Sequence, residues 1–273
     1  MRGRPANRTW PDRTVADETG DLRLIDNLRL SLRLAMLVAA LLFAVPLHLL
    51  WRLLHLPSPW PRLFLAVFGW IIGARRRTIG TPLKRDVVFV SNHLSWMDIP
   101  ILAGRTGSAF VAKAELRQVP LVGWLCTLNR TIFVKREDRM AVADQIEALR
   151  RALAETWAIT IFPEGTTGDG EALLPFKAAL LAVLDPPPAG VRAQPVLIEY
   201  GAATAELAWV GDEPGLAHAM HVLRRRGSFT ATVRFCEPFD PPDFPGRKAV
   251  AAEARRRIEG ADAGRHGRYE GAP

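Results

Sequence analysis

Asp86-Val87-Val88-Phe89-Val90-Ser91-Asn92-His93-Leu94-Ser95-Trp96-Met97-Asp98 is the stretch whose reading decides the fold. Its apolar run is short, β-branched and aromatic, the pattern of a strand buried on both faces. The polar triplet Ser91-Asn92-His93 closes that run, and residues 99–103 read as helix. A buried strand passing directly into a helix opens an α/β unit. Working outward, residues 108–112 and 131–134 read as further strands. Residues 140–156 have helical spacing, with Val142, Ile146, Leu149 and Leu153 on one face. Residues 158–162, 193–200 and 230–235 supply three more strands, and 185–190 is a surface loop. The fold class expected is α/β, a mixed sheet covered by helices.

The composition narrows the possible partners. A chain of 273 residues is long enough for one or two domains with a sizeable core. With 49% apolar and 23% charged residues, wholesale disorder is excluded. A net charge of +8 and a pI of about 10.3 imply an anionic partner: nucleic acid, a phospholipid surface or a phosphorylated substrate. Cys126 and Cys236 form no CxxC and no metal-ligand spacing, so a disulfide scaffold or zinc module is not expected.

The arrangement of charge points to a membrane. Residues 1–33 carry seven arginines against five acids, and residues 34–51 then hold no charged side chain. As a helix that run is about 27 Å long, against a hydrocarbon core of about 30 Å. A second apolar run, 63–74, ends at Arg75-Arg76-Arg77 and is too short to span. Basic flanks prefer the cytoplasmic side, and a helical hairpin dipping into the inner leaflet keeps both flanks there. One transmembrane helix plus a surface helix, or two helices buried in a soluble core, are the alternatives. Trp51, Trp60 and Trp70 lie near the edges of the runs, where indoles favour the interface. Nucleic acid is not an expected partner, since the basic residues flank apolar segments and no nucleic-acid motif is visible. The expected location is the inner, cytoplasmic membrane, with the rest of the chain on the cytoplasmic side.

Two segments carry chemistry. In the first, His93 stands at the mouth of a strand and offers an imidazole, the usual side chain for general-base work. Asp98, five residues on, can take the Nδ1 proton and leave Nε2 free. The competing reading is local: Ser95 and Asp98 resemble a capping box, and Asn92 suits a turn. The second segment is Ile161-Phe162-Pro163-Glu164-Gly165-Thr166-Thr167-Gly168-Asp169-Gly170. Proline stops the strand and the glycines let backbone approach a ligand. Glu164 can hold substrate hydroxyls, and Thr166 and Thr167 offer hydroxyl donors. Gly165 and Gly170 have P-loop spacing, but Glu171-Ala172 follows where such a loop needs Lys-Ser/Thr, so a nucleotide loop is rejected. His218 and His221, three apart on a probable helix, read as a surface face.

The pattern H-x-x-x-x-D at His93 and Asp98, followed by Phe162-Pro163-Glu164-Gly165-Thr166, resembles the lysophospholipid acyltransferase family. Two further blocks agree in order: Lys113-Ala114-Glu115-Leu116 with Ile132-Phe133-Val134-Lys135-Arg136, and the strand at Gln194-Pro195-Val196-Leu197-Ile198. The resemblance spans roughly residues 80–240. It implies that His93, oriented by Asp98, deprotonates the free hydroxyl of a lysolipid, which attacks the thioester of acyl-CoA or acyl carrier protein without an acyl-enzyme. It gives Glu164 and Gly165 to acceptor binding, and it matches Lys113 and Arg136 to the positions that hold an acceptor phosphate; Asn92, Thr166 and Thr167 complete the candidate site. No cofactor or metal is implied beyond the acyl donor. The domains follow: 1–27 a polar basic tail, 28–78 membrane-associated helices, 79–247 the acyltransferase domain, and 248–273 a helix end and polar tail.

Thr167 departs from the pattern, because many family members carry arginine there. A neutral hydroxyl replaces a charged fork. Either Lys177 or Arg130 restores the charge, or the acceptor head group is not a phosphomonoester. The string from Phe162 through Leu174-Pro175-Phe176-Lys177, with Trp209-Val210-Gly211-Asp212, resembles a proteobacterial branch that also acylates lyso-ornithine lipid. The commoner activity and the basic charge favour 1-acylglycerol 3-phosphate, giving phosphatidic acid. A non-catalytic membrane-binding protein and a thioesterase are the readings from other classes.

Overall fold

The computed structural model describes residues 19–134, 142–156 and 158–269. In chain order it places α1 (Thr19–Leu53), α2 (Trp60–Ile71), β1 (Ala74–Ile79), β2 (Val87–Ser91), α3 (Asp98–Thr106), β3 (Ala109–Lys113), α4 (Val122–Leu128), β4 (Ile132–Val134) and α5 (Val142–Thr156). There follow β5 (Ala158–Ile161), β6 (Arg192–Glu199), α6 (Thr204–Leu207), α7 (Gly215–Arg224), β7 (Phe229–Phe235) and α8 (Arg247–Tyr269). The sheet runs β1-β7-β6-β2-β5-β3-β4, parallel except where β6 meets β7. It is the mixed, helix-covered sheet expected.

Alternation along β2 shows why the sheet needs both covers. Val87 and Phe89 join the core beneath α3 and α7, whereas Val88 and Val90 join the one beneath α5 and α8. All four are fully buried, and side chains of this size contribute about 1.5–3 kcal/mol each. Ala66 of α2 and Gly104 of α3 nearly touch. A Cβ on Gly104 would lie 2.7 Å from the Ala66 Cα, so a residue other than glycine would push α2 off the domain.

The N-terminal helices form a hairpin. Phe43 and Trp51 of α1 both meet the Trp60 ring edge-to-face, and His48 Nδ1 lies 2.8 Å from Ser58 Oγ. Residues 24–53 of α1 are long and apolar enough to cross a membrane, and only 6% of the most apolar stretch is buried. A core helix of a soluble protein would be covered; this one is bare. Its attachment includes Leu30, buried in the core, and a polar anchor: the buried Arg33 guanidinium donates to the carbonyls of Val222 (3.0 Å), Leu223 (3.1 Å) and Gly227 (3.4 Å).

Three local expectations change. Arg75, Arg76 and Arg77, read as a membrane flank, are the exposed middle of edge strand β1, paired to Thr230, Ala231 and Thr232. Charged side chains suit a sheet edge because they oppose pairing with another chain. The C-terminal stretch read as tail continues α8 to Tyr269 and buries Ile258 completely. His218 is buried rather than on a surface face: Trp96 Nε1 donates to its Nδ1 at 2.9 Å, and burial lowers its pKa.

Candidate active site

β2 and β5 are adjacent and parallel, so Asn92-His93 and Phe162-Pro163-Glu164 emerge together at the carboxyl edge of the sheet. That edge is where open α/β sheets bind ligands. His93 Nδ1 lies 2.8 Å from Asp98 Oδ2. A carboxylate only accepts, so the proton sits on Nδ1 and Nε2 keeps its lone pair. The imidazole stacks on Phe162, centroids 4.0 Å apart and planes within 11°, and Phe162 rests on Phe110. The ring is clamped, and 18% of the side chain remains open to solvent.

Asp98 has no exposed surface and is held by four donors. Oδ2 accepts from the amides of Leu94 (2.7 Å) and Ser95 (3.0 Å) as well as His93, and Oδ1 accepts from Tyr200 Oη. Burial and the neighbouring carboxylate push the Tyr200 hydroxyl well above its ordinary pKa, so it remains a donor. The capping alternative is thus half right. Asp98 does reach back to the turn amides, but the buried Ser95 Oγ has no hydrogen-bond partner among the described residues and caps nothing. One carboxylate both closes the turn and orients the imidazole. Tyr200 escaped sequence reasoning; the available signal was a polar aromatic ending the apolar strand 193–200 at the same sheet edge.

Glu164 joins the two segments. It is buried and accepts from the His93 amide at 3.2 Å and the Leu174 amide at 3.3 Å, while the Gly168 amide donates to the His93 carbonyl at 2.8 Å. Burial pushes its carboxyl up to about 7, opposed by those two amides and reinforced by Asp98. Gly165 is buried beside it and Thr166 is exposed at the mouth. The Thr167 hydroxyl donates to the Trp209 carbonyl, tying the loop to residue 209. Asn92 engages Ile198 with both ends of its amide, Nδ2 to O at 2.9 Å and N to Oδ1 at 2.7 Å, which pins β2 to β6.

Among the basic candidates, Lys113 ends β3 on the same edge, two strand spacings or about 10 Å from β2. It is exposed. Lys177 lies closer: its Nζ is 2.8 Å from where a Cβ on Gly165 would sit. Arg130 instead lines a cleft with His48 and Arg52 of α1. Arg136 lies outside the described residues. Among the described residues no group of three or more His, Cys, Asp or Glu could hold a metal ion.

The His93–Asp98 pair thus stands at the carboxyl edge of the sheet with Nε2 free, an arrangement chemically able to take a proton from a substrate hydroxyl. Comparison with known proteins agrees. Residues 75–199 match the Acyltransferase family model. The chain is 34% identical over 254 residues to the lyso-ornithine lipid O-acyltransferase of Brucella abortus, covering 86% of this chain and 94% of that protein. It is 35% identical over 119 residues to the 1-acyl-sn-glycerol-3-phosphate acyltransferase of Neisseria gonorrhoeae, 42% of this chain and 44% of that one. The crystal structure of a 1-acyl-sn-glycerophosphate acyltransferase from Thermotoga maritima matches with a TM-score of 0.64 at 25% identity, covering 88% of this chain and 97% of that one. The chain belongs to the lysophospholipid acyltransferase family and is an O-acyltransferase acting on lysolipids.

Proposed function

We propose that the protein acylates the free hydroxyl of lyso-ornithine lipid at the cytoplasmic face of the inner membrane. The observation that carries the chemistry is the buried Asp98 fixing the His93 tautomer. His93 Nε2 takes the hydroxyl proton as the substrate oxygen attacks the thioester carbonyl of acyl carrier protein or acyl-CoA. The C–S bond breaks, the acyl group passes to oxygen as an ester, and the thiolate leaves and takes up a proton. Asn92 and Glu164 position the turn, and Tyr200 positions Asp98. Lys113, Lys177, Gly165, Thr166 and the unoccluded part of the 164–168 loop receive the head group.

Two facts favour this acceptor over the lysophosphatidate that composition favours. The Brucella relative is matched over nearly its whole length, the Neisseria relative over less than half. The residue in place of the family arginine, Thr167, has its hydroxyl directed to the Trp209 carbonyl rather than offered to a phosphate. Lysophosphatidate remains the second reading, because the Lys177 ammonium beside Gly165 supplies a cation at the loop. The test is an acceptor competition: membranes containing the protein receive labelled acyl donor with both lysolipids, and His93→Ala membranes are the control. Preferential labelling of the ornithine lipid is expected; preferential labelling of phosphatidic acid overturns the acceptor assignment.

A further inference from the structure

A second apolar surface leaves the catalytic edge of the sheet. Leu116, Val119, Leu121, Val122 and Trp124 are 39–57% exposed within nine residues of chain. The chain passes from Lys113 into the 3₁₀ turn Ala114–Gln118, then through Val119-Pro120-Leu121 into α4. Residues 118–129 hold no charged side chain. The unit is compact: the Gly123 amide donates to Val119 O at 2.8 Å, and a Cβ on Gly123 would lie 2.3 Å from Arg117 O. The apolar side chains are therefore held in the open by a well-packed turn.

Two observations say what covers them. The end of α4 meets the hairpin across a cleft of about 480 Å³ lined by His48, Arg52, Thr127, Leu128 and Arg130. The patch therefore adjoins the hairpin tip, where Leu49, Leu50, Leu53, Leu54 and Leu56 are exposed. Its fringe is basic: Lys113, Arg117 and Arg130 outnumber Glu115, the one acid in residues 113–130, and Arg52 lines the cleft together with Arg130. An apolar centre with an exposed tryptophan and a basic rim matches the headgroup layer of an anionic bilayer.

We propose that residues 116–124 are a second membrane-contact element, entering the headgroup layer beside the hairpin tip and bringing the bilayer to the mouth of the active site. The inference rests on reading the hairpin as a membrane element. A lysolipid then reaches His93 along the lipid surface without crossing water.

The test uses the full chain without Cys126 and Cys236, carrying one fluorophore-labelled cysteine at Leu121→Cys, Leu53→Cys or Lys248→Cys. Vesicles of phosphatidylethanolamine and phosphatidylglycerol carry a shallow nitroxide-lipid quencher. Quenching at positions 53 and 121 is expected to exceed that at 248 several-fold, and at 121 to fall when phosphatidylcholine replaces the anionic lipid. Quenching at 53 but not at 121 overturns this inference alone; quenching at neither overturns the hairpin reading with it. In the native-cysteine chain, Trp124→Glu should lower transfer to vesicle-borne lysolipid several-fold and leave transfer in detergent micelles unchanged. Equal rates on vesicles would contradict the proposal.

Discussion

Asp98 is a carboxylate with no exposed surface, and Leu53 is a leucine 75% exposed. The active-site turn and the N-terminal hairpin both invert the ordinary distribution of polar and apolar groups, in opposite directions. At the turn the cost of burying charge is offset by four donors on one carboxylate. On the hairpin no described residue covers Leu49, Leu50, Leu53, Leu54 or Leu56. Each inversion fits one part of the proposed function: a buried, satisfied charge suits the orienter of a base, and an uncovered apolar face suits contact with lipid.

Changing the turn should give the largest effects. Asp98→Asn keeps the shape and lets the amide turn its nitrogen toward the imidazole, favouring the wrong tautomer. Transfer should fall by about 10²–10⁴ while the thermal melt in detergent shows a folded protein. Loss of the fold instead would return Asp98 to a purely structural role.

The next effect is one of pH. Glu164, raised from 4.5 to about 7, holds a proton in the folded state that the unfolded chain has already released. Stability should therefore decline as pH rises from about 4.5 through about 7, by about 3 kcal/mol in all. Melts of Glu164→Gln should lack that decline. A wild-type melt flat across this window would contradict the burial argument.

The hairpin's polar attachment is smaller. Arg33→Ala removes the donors to three carbonyls and should cost on the order of 2 kcal/mol, read as a lower melting temperature and earlier proteolysis between the hairpin and β1. An unchanged melt would mean that α1 is held by its apolar contacts alone. Tyr200→Phe leaves one Asp98 oxygen short of a donor, at about 1–2 kcal/mol. With its charge less shared, Asp98 should favour the imidazolium and move the acid limb of the kcat/KM profile upward; a limb that stays put would make Tyr200 merely a core residue. The smallest effect is selective. Thr167→Arg should move the acceptor ratio several-fold toward lysophosphatidate with little loss of total transfer.

These contrasts also explain what the sequence disclosed. The turn was legible because its partners are local: His93 and Asp98 are five residues apart, and the strand before them alternates cleanly between two cores. The partner loop at Glu164 was legible as a motif, yet its bonds to the His93 amide and carbonyl were not, since nothing local joins residues 71 positions apart. Tyr200 lies 102 positions from Asp98 and carries no spacing signal. β1 was hidden because three consecutive arginines do not alternate, and Arg33 because a docked arginine and a membrane flank look alike in one dimension.

The most direct test of the account is His93→Ala assayed in membranes with labelled acyl donor and lysolipid, alongside vesicle binding of the same protein. Transfer is expected to disappear while membrane association and fold persist. Continued transfer by that variant would remove His93 as the base, and with it the reading of the buried Asp98 as its orienter.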